Sequence, residues 1–415
     1  MMQFLLNIAN KRQFNFNFSY NTWRFQIFCY MFLGYIFFYF SRKSLVFMAP
    51  LMIDELKISI YEIGMINSIF YITYACSKII GGVIADNSKC KYLMFIGLIF
   101  TGLFNVLIGF SSSILVITLF WTLNAFFQGW GWPPITKQLI YYYKKTERGL
   151  WWGILSISHN IGGAIIPVII GFLSLKFLWK TNFFVIGFSC MCVGFFLIWC
   201  LNKIYDYHKI LFYTVSVESK LTFNIISLLQ NKKIFLLCMC YFFIYLIKTC
   251  INDWIVLYMI NQKEHNLFSA SIAIFYFEVG GICGIVVSGW MTDKLIKNRM
   301  VFLLISVIFL FLISIAFYVI PVGFKKVEYA GLFVLGFFLF SQQMLLGLIA
   351  SEVVNKNIAC TANGFVGSFA YVGASLAGYP CSLIINVSWN IYFIMIFFCE
   401  IILIQILTLF LLNNR

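Results

Sequence analysis

The chain has 415 residues, of which 62% are apolar and only 10% are charged. Soluble globular proteins average about 25% charged residues, so the composition excludes that class and is typical of a protein that crosses a membrane many times. A formal net charge of +15 would indicate nucleic-acid binding in a soluble protein, but the positions of these charges favour a different origin.

Apolar runs are long enough to predict membrane-spanning helices, which need about 20 mostly apolar residues. Twelve such runs lie between charged or turn-rich breaks. The first six are residues 25–48, 63–84, 92–110, 114–138, 150–174 and 182–201. The second six are residues 234–260, 270–291, 301–320, 329–351, 359–384 and 389–411. The sequence therefore predicts an all-α polytopic membrane protein.

The spacing of the runs divides the chain into two halves. We predict a cytoplasmic N-terminal tail, a six-helix bundle, a cytoplasmic linker, a second six-helix bundle and a cytoplasmic C-terminal tail, at residues 1–24, 25–202, 203–233, 234–411 and 412–415. The first segment lacks a cleavage-site pattern after an apolar core, so we expect it to be retained.

The distribution of Lys and Arg predicts the orientation. With the N-terminus inside, the tails, the linker and the even-numbered loops hold 18 of these cations, and the odd-numbered loops hold six. Cytoplasmic loops carry such an excess. We therefore expect a multi-pass protein of the inner (cell) membrane with both termini in the cytoplasm, and no nucleic-acid surface.

A short motif occurs twice, at the ends of the second and eighth runs. "GGVIADNSKCK" contains Gly82 and Asp86, and "SGWMTDKLIKNR" contains Gly289, Asp293 and Lys294. The two aspartates are 207 residues apart, half the chain, which indicates an internal parallel repeat. A turn, an aspartate near a helix end and nearby cations predict a latch between neighbouring helices on the cytoplasmic side.

Few charges lie inside the spans. The cations are Arg42, Lys43, Lys78, Lys137 and Lys248, and the acidic residues are Asp253, Glu278 and Glu400. Ionisable residues at membrane depth are costly and usually mark a pathway. The alternative is snorkelling or an internal ion pair, and this structural interpretation is favoured for Lys137 and Glu400.

Two of these cations occupy equivalent places in the repeat. Arg42 lies 44 residues before Asp86, and Lys248 lies 45 residues before Asp293. We predict a central cavity with one cation on each wall and no matching anion at that level. Two such charges about 10 Å apart repel by roughly 1–2 kcal/mol at an effective dielectric constant near 20. The pattern favours a polyanion such as a phosphate ester, with a charge of about −1.5 to −2 at pH 7.

A histidine in the fifth run, His159 of "SISHNIGGAIIP", has Tyr371 at the matching place in the second half. A lone histidine in a packed helix is often a core residue, whereas the cationic cavity favours a ligand role. The sequence leaves both interpretations open.

Several segments resemble one known family. "GYIFFYFSRKSLVFMAP", "FFQGWGWPP", "ERGLWWGILSISHNIGG", "FEVGGICGIVVSGWMTDKL" and "GFVGSFAYVGASLAGYP" are similar to segments of the organophosphate:inorganic phosphate antiporters of the major facilitator superfamily. They occur in order across nearly the whole chain. The resemblance implies twelve transmembrane helices in two pseudo-symmetric six-helix bundles, and exchange of a sugar or glycerol phosphate for phosphate by alternating access.

The resemblance also implies a set of site residues. The phosphate-clamping cations correspond to Arg42 and Lys248, and the family histidine corresponds to His159. Accessory charged residues correspond to Lys43, Lys78 and Glu278. We assign Lys43 and Lys78 to the substrate-binding set, and Glu278 with Asp253 to the supporting charges. Cavity aromatics in the substrate-binding set correspond to Tyr35, Tyr39, Trp132 and Tyr371. The family usually has Arg in place of Lys248, and lysine lacks the planar fork that grips two phosphate oxygens. A general lysine bias and an altered substrate geometry both remain open as explanations.

The segment "KTCINDWIVLYM" is most similar to the hexose-phosphate branch, including its sensor-like members. We therefore predict exchange of hexose 6-phosphate for inorganic phosphate. The alternatives are a glycerol-3-phosphate:phosphate antiporter and a non-transporting sugar-phosphate sensor with a signalling partner. The chain lacks a nucleophile–base pair, metal-ligand spacing and a Gly-rich phosphate loop, so we expect no enzyme activity, cofactor or metal. One chain is enough to form a pathway, so we expect a monomer.

Overall fold

The computed structural model describes residues 2–143, 148–207, 232–296, 298–353 and 359–412. Side chains are described within these ranges except at residues 2–21, 83, 86–87, 140–141, 148–150, 204–207, 293, 351–352 and 359–363. Residues 208–231 of the predicted linker and 413–415 of the predicted C-terminal tail lie outside the described part.

Helices account for almost all of the described residues. The first half contains α1 (Met2–Leu56), α2 (Ile60–Asn87), α3 (Cys90–Phe110), α4 (Ile114–Gln128), α5 (Trp132–Tyr142), α6 (Arg148–Leu173) and α7 (Trp179–Tyr207). The second half contains α8 (Lys232–Lys263), α9 (Leu267–Lys294), α10 (Arg299–Val319), α11 (Lys325–Val353), α12 (Ala359–Leu376), α13 (Tyr379–Val387) and α14 (Trp389–Leu412).

Twelve segments of the described chain are long and apolar enough to span a membrane, which confirms the predicted number. Two predicted spans are interrupted at glycine-containing breaks. The fourth consists of α4 and α5, with a break at 129–131, and the eleventh of α12 and α13, with a break at 377–378. Proline stands in the first turn of both helices that follow, where its missing N–H leaves no intrahelical bond unmade.

The first helix is longer than the predicted first span. The helix α1 continues from Met2 through Leu56, so the backbone of the predicted tail is helical within the described residues. The membrane-compatible part of this helix is Thr22–Leu56.

Two charges that the sequence analysis interpreted as structural make structural contacts. Nζ of Lys137 donates to the carbonyl oxygens of Ala85, at 2.6 Å, and Ser88, at 3.3 Å, where a cation stabilises the C-terminus of α2. Oε1 of Glu400 accepts a 2.7 Å hydrogen bond from Ser314 and joins α14 to α10.

The predicted latch motifs lie at the C-terminal ends of α2 and α9. The side chains of Asp86 and Asp293 lie outside the described residues, while Lys294 is exposed. The latch therefore stays a prediction.

The two halves pack closely at the end that holds the 57–59 and 264–266 loops. Oγ of Ser68 in α2 donates to the carbonyl oxygen of Ser375, at 2.6 Å, and accepts from the backbone N–H of Tyr379, at 2.7 Å. Beside them, Gly64 and Gly378 bring the two backbones together, since a Cβ on either would meet the opposite helix. This end of the interface is closed, and a cavity lies between the halves towards the opposite end.

Candidate functional site

A cavity lies between the two halves, a place where small-molecule sites commonly form in helical bundles. The first half contributes Tyr35, Tyr39, Tyr74, Lys78, Trp132, Trp152, Ser156 and His159 to its wall. The second half contributes Tyr241, Tyr245, Ile285, Phe340, Gln343, Met344, Gly347 and Tyr371. Most of these side chains are aromatic, and both halves supply the same number. The two halves of the chain therefore form the site together.

Arg42 lies behind this wall and not in it. Its Nη1 donates to the hydroxyl of Tyr371 at 3.1 Å, and its Nη2 donates to the hydroxyl of Tyr74 at 2.7 Å. The guanidinium carbon is also 4.5 Å from the centre of the Tyr39 ring, a distance at which cation and π-system attract. Among the described residues, its Nε has no hydrogen-bond partner. The cation is thus one tyrosine layer from the cavity and 4% exposed.

Lys248 occupies the corresponding place in the second half. Its Nζ donates to Oε1 of Gln343 at 2.6 Å and lies 4.0 Å from the centre of the Phe340 ring. The Tyr245 ring is 5.6 Å away. All three partners line the cavity, so Lys248, too, is separated from it by one layer. The expectation that both cations form the walls themselves is therefore corrected to a position directly behind the walls.

Three aromatic rings connect the two cations across the interface. The Tyr39 ring, which contacts Arg42, lies 5.3 Å from the His159 ring. The His159 ring lies 5.7 Å from Phe340, which contacts Lys248. Nε2 of His159 is buried and has no partner among the described residues. The histidine is thus the midpoint of a continuous contact chain between Arg42 and Lys248.

Lys43 has a different environment from Arg42. Its Nζ lies 2.9 Å from Oδ1 of Asp253 in α8, and the hydroxyl of Tyr71 donates to Oδ2 of the same carboxylate at 2.6 Å. Lys43 is absent from the cavity wall. Lys43 was predicted to be a substrate-binding residue, but its position fits a support that joins the two halves, with Asp253 as its counter-charge.

The other predicted supporting acid, Glu278, also lies between the halves. Its two carboxylate oxygens accept hydrogen bonds from Asn160 of α6, at 2.9 Å, and from Asn252 of α8, at 3.0 Å. Gly163 of α6 packs directly against this carboxylate. Glu278 therefore connects three helices close to His159.

Six of the predicted substrate-binding residues do line the cavity, namely Tyr35, Tyr39, Lys78, Trp132, His159 and Tyr371. Lys78 is the cation among the lining residues. Its Nζ lies against Gly367 and 5.2 Å from the centre of the Tyr371 ring. The ring centres of Trp132 and Tyr35 are 5.1 Å apart. Lys78 in the cavity wall, and Arg42 and Lys248 behind it, therefore surround the same cavity.

Two lining residues that the sequence analysis missed carried a recognisable signal. Tyr35 and Tyr39 precede Arg42 by seven and three residues, and Tyr241 and Tyr245 precede Lys248 by the same distances. Such spacings place side chains on one helical face. The repeat thus extends from a single cation to a unit of two tyrosines and a cation. Gln343 had no comparable signal, because no spacing ties it to Lys248.

Comparison with known proteins identifies the family of this chain. Residues 31–378 match the family described as the Major Facilitator Superfamily. A "Probable hexose phosphate transport protein" of Chlamydia trachomatis is 39% identical, over 92% of this chain and 90% of that protein. The "Membrane sensor protein UhpC" of Escherichia coli is 38% identical, over 91% of this chain and 90% of that protein. A "Glycerol-3-phosphate transporter" of Bacillus subtilis is 28% identical, also over 91% of this chain and 90% of that protein.

Among solved structures, a bacterial homologue of the human lysosomal transporter Spinster, in an inward-facing and occupied conformation, superposes with a TM-score of 0.66. The superposition covers 93% of this chain and 95% of the homologue. At 12% sequence identity, it supports the fold alone. The family consists of membrane transporters rather than enzymes. With its twelve spans, its repeat-related cations and these relatives, the chain belongs to the organophosphate:inorganic phosphate antiporter branch of the Major Facilitator Superfamily.

Proposed function

We propose that the protein exchanges hexose 6-phosphate for inorganic phosphate, with the phosphate group held between Arg42 and Lys248. One observation carries this proposal, the pair of repeat-related units in which two tyrosines face the cavity and a cation lies behind them. Tyr39 and Tyr245 each lie three residues before the cation of their own half. A dianionic phosphate at the interface is the ligand that two facing cations favour.

The hydrogen bonds of Arg42 suggest how binding moves the halves. Arg42 donates to Tyr74 of its own half and to Tyr371 of the other. A phosphate that takes over these donors releases the contact with Tyr371 and replaces it with a stronger bond between two ionised groups. Without an anion, bringing two buried cations together is disfavoured by repulsion and desolvation. Either phosphate or a sugar phosphate removes that barrier, which accounts for exchange by alternating access.

The aromatic lining supplies the rest of the site. Lys78 provides a charge at the cavity surface for a phosphate that enters. His159 presents an unpartnered ring nitrogen between the two cations. A sugar ring would then lie among the tyrosines and tryptophans, whose faces and hydroxyls suit a ring that bears both C–H and O–H groups.

We place the protein in the inner membrane with both termini in the cytoplasm, on the basis of its Lys and Arg distribution. In that orientation the closed end at Ser68 and Ser375 is periplasmic, and the cavity faces the cytoplasm. One chain supplies both walls, so a monomer is sufficient.

A second function, sugar-phosphate sensing, has a specific observation in its favour. The chain is as similar to the Escherichia coli membrane sensor as to the chlamydial transport protein. A sensor would use the same cavity and pass its conformational change to a signalling partner. A glycerol-3-phosphate:phosphate antiporter is the third alternative, with lower identity to the Bacillus subtilis transporter.

Flux measurements distinguish these functions. Proteoliposomes loaded with phosphate should take up labelled glucose 6-phosphate, with stronger competition from unlabelled glucose 6-phosphate than from glycerol 3-phosphate. Arg42→Ala should abolish uptake, and Lys176→Ala, in an exposed loop, should leave it unchanged. Exchange at the normal rate by Arg42→Ala would refute the clamp. Ligand binding with no flux would favour the sensor.

A further inference from the structure

The partner of Lys248 is a residue with no assigned role. Nζ of Lys248 donates to Oε1 of Gln343 at 2.6 Å, and Gln343 lies in the cavity wall. An ammonium group can only donate hydrogen bonds. The carboxamide must therefore direct its oxygen to Lys248 and its NH₂ group, with two donors, to another side.

The backbone around Gln343 is held in place from the same half. The hydroxyl of Tyr241 in α8 donates to the carbonyl oxygen of Gln343 in α11 at 3.0 Å. One turn earlier in α11, Phe340 places its ring 4.0 Å from the ammonium group. Two residues of α11 thus hold Lys248, and the backbone of Gln343 is held in turn by Tyr241 of α8. The pair forms a preorganised unit rather than two mobile side chains.

The donors of this unit are only partly used. Among the described residues, no hydrogen bond engages the amide nitrogen of Gln343, while its oxygen is taken by Lys248. The ammonium group has three donors, of which one meets the amide and another faces the Phe340 ring. An N–H of Gln343, in the cavity wall, and an N–H of Lys248, directly behind it, therefore remain for one anion.

A lysine at position 248 has no planar fork, and Gln343 places a second kind of donor beside it. A guanidinium supplies two parallel N–H donors to a phosphate, whereas a lysine acts as a point charge. We propose that Gln343 is a direct ligand of the substrate's phosphate group, and that Lys248 and Gln343 together form the two-donor unit that a single arginine would otherwise supply. This inference rests on the proposed function, because it concerns the same phosphate.

The test compares Gln343 in two backgrounds. In the natural background, Gln343→Leu should weaken the binding of inorganic phosphate about tenfold, the loss expected for one hydrogen bond to a charged group. In the Lys248→Arg background the guanidinium supplies a two-donor fork by itself, so the same substitution should weaken binding by less than about threefold. Gln343→Glu should abolish binding, because its carboxylate would pair with Lys248 and repel the phosphate.

The readout is the shift in melting temperature of the purified full-length protein as inorganic phosphate is titrated, which requires no transport. The melting temperature without phosphate reports whether each variant folds, and Gln343→Asn replaces Gln343→Leu if the latter does not. Gln405→Leu, an equivalent change at an exposed position in α14, is the matched control and should leave the titration unchanged.

Two results would overturn the inference alone. One is a full phosphate response in Gln343→Leu, and the other is an equal loss in both backgrounds, which would indicate a structural role. The absence of a response in the unaltered protein, to inorganic phosphate and glucose 6-phosphate alike, would overturn the proposed function and the inference together.

Discussion

Nζ of Lys43 lies 2.9 Å from Oδ1 of Asp253, and this buried ion pair joins α1 of the first half to α8 of the second. Arg42, the neighbouring residue, also contacts the second half, but through the hydroxyl of Tyr371. Adjacent cations on one helix thus make two kinds of interhalf contact. Lys43 has a permanent counter-charge within the protein, whereas Arg42 has neutral partners that an anion could replace.

The Lys43–Asp253 pair should contribute strongly to stability. Removing one partner leaves a buried charge without compensation, at a cost of about 3–5 kcal/mol. Lys43→Met should therefore lower the melting temperature of the purified protein markedly, and Lys43→Met with Asp253→Leu should recover most of the loss. Lys176→Met, in an exposed loop, is the control and should change stability by less than about 0.5 kcal/mol. A double variant no more stable than the single one would contradict this account.

Exchange by alternating access requires the closed end of the interface to open. Tyr61 of α2 and Asn386 of α13 have side chains in contact at this end. With both replaced by cysteine, a bifunctional thiol reagent with a cleavable disulfide linker should block exchange by tethering the halves. Addition of a reductant should restore it.

The control for this cross-link lies within one half. Ser112 and Lys180 contact each other at 2.8 Å, and both belong to the first half. A cross-link between Ser112→Cys and Lys180→Cys should leave exchange intact, measured against reagent-treated protein without the new cysteines. Normal exchange through a completed Tyr61→Cys/Asn386→Cys cross-link would exclude opening at this end.

The pattern of apolar runs was sufficient to predict the twelve spans, because lipid exposure and helical hydrogen bonding leave few other solutions. The runs could not predict the breaks before Pro133 and Pro380, since both segments are apolar on either side. The sequence also could not predict Asp253 as the partner of Lys43, because 210 residues separate the two in the chain.

The part of the candidate site that occurs in both halves of the repeat could be predicted from the sequence. Arg42, Lys248 and the tyrosines before each of them share a spacing that a sequence reader can find. The sequence does not single out Gln343, because no spacing ties it to a cation, or Trp152, because aromatic side chains are common throughout this chain. The depth of Arg42 and Lys248 behind the cavity wall depends on side-chain packing, which spacing alone does not determine.

Close approach of α9 and α11 depends on glycine at position 284. A Cβ on Gly284 would overlap the backbone carbonyl of Phe337, so Gly284→Ala should separate the helices and destabilise the protein by about 1–3 kcal/mol. A Cβ on Gly153 would meet no atom of another segment within 4 Å, and Gly153→Ala should stabilise α6 by up to about 1 kcal/mol through helix propensity. Opposite shifts in melting temperature are expected, and equal shifts would refute the packing argument.

His159 should show opposite effects on stability and binding. His159→Phe keeps the ring between Tyr39 and Phe340 but removes a buried nitrogen that has no described partner. Because an unsatisfied buried polar group costs about 1–3 kcal/mol, the variant should be as stable as the natural protein or more so. If the nitrogen contacts the substrate, the KM for glucose 6-phosphate should nevertheless rise about tenfold, from the loss of one hydrogen bond to a charged ligand.

The second described histidine gives the matched control for His159. His265 pairs with Glu328 at 2.7 Å, and both side chains are fully buried. His265→Phe should therefore destabilise the protein by leaving a buried carboxylate without its partner, and should leave the KM of the folded fraction unchanged. If His159→Phe instead lowers stability and keeps the KM, then His159 is a core residue, and the ligand role is excluded.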